Sequence, residues 1–245
     1  MKTLLILLAL GIIPLKPADM DYTTDIFETS GGDLAIGFIG HGTLLFEYND
    51  MVIHVDPTMG EADYSAMPDA DLILVTHHHG DHFDLTAIDY IRKQDCPVVM
   101  TRSCMDQLEN FEGAVIMKNG DSKTIKGIPI QAVPAYNIIH KRPDGEAYHP
   151  KGIGNAYVLT FGDKKVLIGG DTENVPEIKA LKDIDIAFLP MNLPYTMTPE
   201  MVADAARAMK PRLLYPYHYG NTDPEELVKL LKDEKGIVVR IRDLQ

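Results

Sequence analysis

Apolar residues along this chain recur in short, bounded runs. Leu34 to Ile39, Leu44 to Tyr48, Met51 to Val55 and Leu72 to Val75 read as strands, separated by Gly40 and Gly42, by the Asn49-Asp50 turn and by Pro57. A helix is predicted over Leu85 to Lys93, with Asp84 as its cap and Ile88 and Ile91 on its inner face. Ile186 to Leu189 reads as a further strand. Thr198-Pro199 opens a helix whose Val202, Ala205, Ala206 and Met209 share a face, and Asp223-Pro224-Glu225-Glu226 opens another carrying Leu227, Leu230 and Leu231. Strands and helices alternate through both halves, the pattern of an α/β fold. A hairpin plan also occurs twice: strand, Asp-containing turn, strand and a closing Asp run from Leu44 to Asp56 and again from Tyr157 to Asp171. Two halves built this way could face each other and bring both strand-end aspartates to one rim.

No Ser/Gly-rich linker or block of like charge divides the chain beyond residue 30, so one domain is expected over residues 19–245. Residues 1–18 read differently. Met1-Lys2 and the apolar run Leu4 to Ile13 fit a signal peptide, with a cut near Gly11 or Ala18, and the run is too short to span a bilayer. An exported chain, periplasmic or secreted if bacterial and without a stable membrane anchor, is the expectation. The 36 acidic and 23 basic residues give a formal charge of −13, which argues against a nucleic-acid partner. Cys96 and Cys104 are too few for a disulfide framework and lack zinc-ribbon spacing; they read as packing residues, with one disulfide open.

Candidate chemistry concentrates in Thr76-His77-His78-His79-Gly80-Asp81-His82, directly after the strand ending at Val75. Residues two apart in a turning loop point the same way, so His77 and His79 can hold one cation while Asp81 and His82 turn toward a second. Imidazole and carboxylate without thiolate suit zinc, iron or manganese at an open site.

The spacing His-x-His-x-Asp-His after a strand resembles the metallo-β-lactamase superfamily. Asp56, the Gly170-Asp171-Thr172 segment and His218 stand, in order, where that family has its early aspartate, its metal-bridging aspartate and its last histidine ligand. The resemblance implies an αββα sandwich with two divalent metal ions at one edge, Zn2+ foremost, with Mn2+ or Fe2+ open. It assigns His77 and His79 to the first metal, Asp81, His82 and His218 to the second, Asp171 as the bridge and Asp56 as an orienting residue behind the His loop. It further implies that a shared water becomes hydroxide near neutral pH and attacks a small-molecule substrate, with Asp81 as the catalytic carboxylate.

One departure stands out. Where the family supplies a third histidine to the first metal, Ala135-Tyr136-Asn137 offers none, which leaves that site under-coordinated unless Asn137, His140 or His149 enters it. For His149, a ligand role, a substrate contact and a structural role stay open. The Pro-Ala-Tyr-Asn segment, His149-Pro150-Lys151-Gly152 and the Gly40-His41-Gly42-Thr43 turn look closer to the ascorbate-6-phosphate lactonase-like branch than to antibiotic-degrading members. His41 reads as a rim or turn residue. Asn137, His149, Asn192 and Tyr195 are the candidate substrate contacts. The leading reading is a metal-dependent hydrolase of an ester, lactone or phosphodiester; a catalytically degenerate metal-binding protein and a diiron redox protein are the alternatives.

Overall fold

The computed structural model describes residues 22–245, so the signal-peptide reading of residues 1–18 falls outside the described residues. Two seven-stranded sheets face each other, and each is built by the same plan. In the first, β1 (Thr23–Thr29), β2 (Gly32–Gly40), β3 (Thr43–Tyr48) and β4 (Met51–Val55) run antiparallel, and β5 (Leu72–Leu74), β6 (Val98–Met100) and β7 (Ala114–Ile116) continue in parallel. In the second, β8 (Ser122–Ile125), β9 (Ile128–Ala135), β10 (Gly154–Phe161) and β11 (Lys164–Ile168) are antiparallel, followed in parallel by β12 (Ile186–Pro190), β13 (Leu213–Tyr217) and β14 (Val238–Val239). The repeated hairpin of the sequence is β3–β4 and its counterpart β10–β11.

Alternation within the strands decides which face is covered. Leu34, Ile36, Phe38, Leu44, Phe46, Ile53, Leu72 and Leu74 of the first sheet belong to one core with Tyr157, Leu159, Phe188 and Tyr215 of the second. Ring contacts cross that layer: Phe38 lies 5.0 Å from Tyr215, and Phe46 lies 6.5 Å from Phe188. Each fully buried ring or aliphatic side chain contributes about 1.5–3 kcal/mol, so this layer is the main stabilising unit. The opposite face of the first sheet, with Leu45, Val52, Ile73, Val75 and Val98, packs on α1 (Leu85–Ile91) through Ala87, Ile88 and Ile91.

Three helices join the second sheet's side: α3 (Pro176–Lys179), α4 (Pro199–Met209) and α5 (Pro224–Leu231); the short α2 (Arg102–Met105) follows β6. Helices outside and sheets inside make a single-domain αββα sandwich. Caps set the helix starts: Asp84 accepts from the amides of Thr86 and Ala87, Thr198 from Met201 and Asp223 from Glu225. Both cysteines are buried free thiols.

Candidate metal centre

The chain leaves β4, β5, β11 and β13 at one edge of the sandwich and sets down, in turn, Asp56, the segment His77 to His82, Asp171 and His218. The two sheets are pinned together there: the amide of Asn155 donates to the carbonyl of Thr76 at 3.0 Å, and the Tyr157 hydroxyl donates to the carbonyl of Val75 at 3.0 Å. Close approach requires glycine at two points. A Cβ on Gly170, whose φ is +57°, would meet the Asn155 carbonyl at 2.9 Å, and one on Gly42 would meet the His82 ring at 2.8 Å. Asp56, His218 and His41 are held at φ values of 45°, 46° and 47°, a left-handed conformation uncommon outside glycine and concentrated at functional sites.

Two clusters of metal-type donors result, each with its donor atoms within 4.8 Å of one another: His77, His79, His149 and Asp171 in one, His41, Asp81, His82 and His218 in the other. Asp171 joins them. Its Oδ2 faces Nε2 of His149 at 3.0 Å and of His77 at 3.8 Å, while its Oδ1 faces Nε2 of His82 at 3.4 Å and of His218 at 3.5 Å. Oδ2 of Asp81 lies 3.5 Å from His218 Nε2 and 3.8 Å from His82 Nε2.

The outer nitrogens of the rings are held from behind. Asp56 Oδ2 sits 2.8 Å from His82 Nδ1, and the same carboxylate accepts from the amide and the hydroxyl of Thr76, both at 2.7 Å. His149 Nδ1 meets Asn137 Oδ1 at 2.8 Å. Such partners fix ring orientation and raise ligand basicity.

Electrostatics divide the rings. Burial, with His149 and His78 nearby, pushes His79 down to about 4, and burial with His82 beside it holds His77 well below the usual range; both are neutral and free to ligate at neutral pH. His82 goes the other way: burial lowers it, but the charges of Asp171 and Asp56 hold it well above the ordinary imidazole value. A proton there does the work of a cation. Nε2 of His82, Nε2 of His218 and Oδ1 of Asp171 are buried without a hydrogen-bond partner, an arrangement that a divalent ion relieves and that water exclusion otherwise makes costly. The donor set therefore fits two divalent cations.

Several positions differ from the sequence reading. The first cluster is not short of an imidazole: His149, from the loop before β10, stands in it with Nε2 3.0 Å from Asp171 Oδ2, and it also lines the cavity beside the cluster. His140 is directed elsewhere, with Nδ1 2.8 Å from the buried Glu173 carboxylate. The expectation that Asn137 touches substrate is corrected, because its amide is used up: Nδ2 donates to Glu173 and to the Tyr195 carbonyl, and Oδ1 accepts from the His149 amide and ring. Beside the first cluster opens a cavity of about 270 Å³ lined by His78, Arg142, Glu146, Tyr148 and Ile153 among others. Asn192 does not line it; its main chain closes the turn to Thr196. Tyr195 reaches its edge only through an edge-to-face contact with Tyr148 at 5.1 Å. His41, read as a rim or turn residue, stands in the turn between β2 and β3 and inside the second cluster.

Comparison with known proteins points the same way. Residues 35–218 match the family described as Beta-lactamase superfamily domain. A UPF0173 metal-dependent hydrolase of Thermococcus onnurineus is 31% identical over 221 residues, covering 83% of this chain and 95% of its own length. Among solved structures, a candidate metal-dependent hydrolase from Parabacteroides distasonis superposes with a TM-score of 0.86 at 48% identity, over 92% of this chain and 100% of that one. A metallo hydrolase from Ignicoccus hospitalis shares the fold at a TM-score of 0.69 and 20% identity, over 86% and 95% of the two chains.

Proposed function

The chain belongs to the Beta-lactamase superfamily of metal-dependent hydrolases, and from that premise we propose that it cleaves a small-molecule lactone, carboxylic ester or phosphodiester with two divalent cations held in the two clusters. One observation carries the reading: Asp171 turns one carboxylate oxygen to each of two histidine clusters at the sheet edge. Bound there, the cations would supply Lewis acidity and a water of lowered pKa. His77, His79, His149 and Asp171 would hold the first, and Asp81, His82, His218 and Asp171 the second.

The chain's own groups do the rest. The Asp81 side chain is half exposed, unlike the other carboxylates of the centre, and is therefore placed to orient an attacking water and accept its proton. Burial raises its pKa, but the His218 and His41 rings bring it far below the ordinary carboxylate range, which keeps it ionised. His79 and Tyr148 wall the cavity in which the substrate's non-reacting part would lie. Arg142 is the one lysine or arginine among the described lining residues, which favours a substrate with a single anionic group over a polyanion. Lys151 is engaged with Glu177 at 2.6 Å instead. The lactone class leads, in line with the resemblance of the Pro-Ala-Tyr-Asn segment to the ascorbate-6-phosphate lactonase-like branch.

The test is turnover by protein stripped of metal and reloaded with Zn2+, Mn2+ or Fe2+, against a lactone panel, p-nitrophenyl acetate and bis(p-nitrophenyl) phosphate. Asp81→Asn should cut kcat at least ~100-fold, the scale typical of a positioned acid or base, with the far-UV spectrum unchanged. Retained turnover in that variant would remove Asp81 from the mechanism, and no turnover of any substrate with both clusters loaded would favour a degenerate centre. Export is part of the same reading and rests on residues 1–18; an intact Met1 on the protein recovered from cells would sink it.

A further inference from the structure

The His41 ring, which contacts Asp81, is fixed in the same manner as the rings around Asp171. Its Nδ1 lies 3.0 Å from the main-chain carbonyl oxygen of Gln245. A carbonyl only accepts, so Nδ1 carries a hydrogen and donates to it, which leaves Nε2 as the atom turned toward the cluster. Nε2 is aimed at Asp81 Oδ2, 3.4 Å away. Two further imidazole nitrogens converge on the same oxygen, His218 Nε2 at 3.5 Å and His82 Nε2 at 3.8 Å, and both are buried with no hydrogen-bond partner. Three imidazole nitrogens and a carboxylate oxygen converging on one point are the donor set of a divalent cation.

The backbone is arranged around this placement. His41 and Gly42 form the turn between β2 and β3. The left-handed φ of 47° at His41 is strained for a non-glycine residue, and the surrounding contacts hold it there. The His41 carbonyl accepts from the His218 amide at 3.0 Å, the two rings lie with centroids 3.7 Å apart and planes tilted by 39°, and the side chain is only 18% exposed. An ordinary hairpin turn would leave this residue in solvent.

We propose that His41 is a third imidazole ligand of the second cluster, which then offers five protein donors, His41, Asp81, His82, Asp171 and His218, against four in the first. The inference rests on the metal-centre reading above and extends it to the choice of ion. A set of three imidazoles and a single carboxylate oxygen, as in the first cluster, suits four-coordinate Zn2+; three imidazoles and two carboxylate oxygens, with room for one more oxygen from solvent or substrate, suit a six-coordinate ion such as Mn2+ or Fe2+. The two positions therefore differ in the metal they retain.

Anomalous diffraction from crystals of the full chain grown with Mn2+ tests this without any variant: His41 Nε2 should bond the ion of the second cluster at about 2.0–2.3 Å, the range for imidazole ligands. An ion held by Asp81, His82 and His218, with His41 more than about 3 Å from it and hydrogen-bonded to Asp81, would overturn the proposal. In solution, His41→Ala should weaken the second Mn2+ equivalent at least ~10-fold while Zn2+ binding at the first site is unchanged; a second Mn2+ equivalent bound as tightly in the variant as in the wild-type chain would also overturn it, as would failure of the wild-type chain to bind a second ion. Two ions bound with His41 as ligand, but no turnover of lactone, ester or diester, would sink the hydrolase reading and leave this one standing.

Discussion

Asn137 shows how much depends on one amide. Its two hydrogens go to the Glu173 carboxylate at 3.0 Å and the Tyr195 carbonyl at 2.8 Å, and its oxygen takes the His149 amide and Nδ1, each at 2.8 Å. Replacing Asn137 by Ala leaves His149 free to rotate and strips one donor from a buried carboxylate. The expected result is a loss of about 10- to 100-fold in affinity for the first metal equivalent, the usual effect of removing a partner behind a ligating histidine, with the second equivalent unaffected. Competitive titration with a chromophoric chelator reads this directly, and unchanged affinity would show that His149 holds its place without Asn137. The same pair marks the limit of reading residues from sequence. His77, His79, Asp81 and His82 are legible because a single loop carries them. His149 and His41 reach the centre from a loop and a turn far away in the chain, through sheet pairings that no local pattern encodes.

At the scale of elements, the segment from β9 to β10 is a loop hung on one buried side chain. The Glu173 carboxylate accepts from three consecutive amides, Ile138, Ile139 and His140, each at 2.7 Å, as well as from the His140 ring and Asn137. Burial pushes its pKa up, but the Asn137 amide and these backbone donors bring it below the ordinary glutamate value. Glu173→Gln puts an NH2 group against donors that need an acceptor. It should destabilise the fold by about 2–3 kcal/mol, the scale of charge-assisted hydrogen bonds lost in a buried site, and it should speed proteolysis within residues 138–147. Urea unfolding with limited digestion checks both, and a variant as stable and as resistant as the parent would show that the loop is held by its other contacts. Element identity was legible where apolar runs were long enough to show a period, as in β2 to β4, α1, α4 and α5. It was not in β6 and β7, three residues each, nor in β1, where Thr23–Thr29 is half polar and gains its place by pairing along β2.

At the scale of the molecule, the repeated plan puts the donors in both halves. His41, His77, His79, Asp81 and His82 belong to the first sheet's half; His149, Asp171 and His218 belong to the second. Each cluster therefore spans the interface between sheets, and a bound ion ties the halves together at the edge where Asn155 and Tyr157 already pin them to Thr76 and Val75. Binding to the folded state alone stabilises it by about 2.7 kcal/mol for each site at a free metal concentration 100 times its dissociation constant. Chelation should remove that increment and leave the buried ring nitrogens of His82 and His218 without a partner, while the layer of Phe46, Phe188 and Tyr215 between the sheets stays intact. The expected outcome is a lower Tm after treatment with EDTA, a native far-UV spectrum below that transition, and recovery of Tm on adding back metal in proportion to the two dissociation constants. His149→Ala and His41→Ala should each erase only part of the recovery, because each removes a donor from a different cluster. A Tm indifferent to chelator in the wild-type chain would mean that the sheets are held without help from the edge, and that the strained turns at Asp56, His41 and His218 are balanced by protein contacts alone.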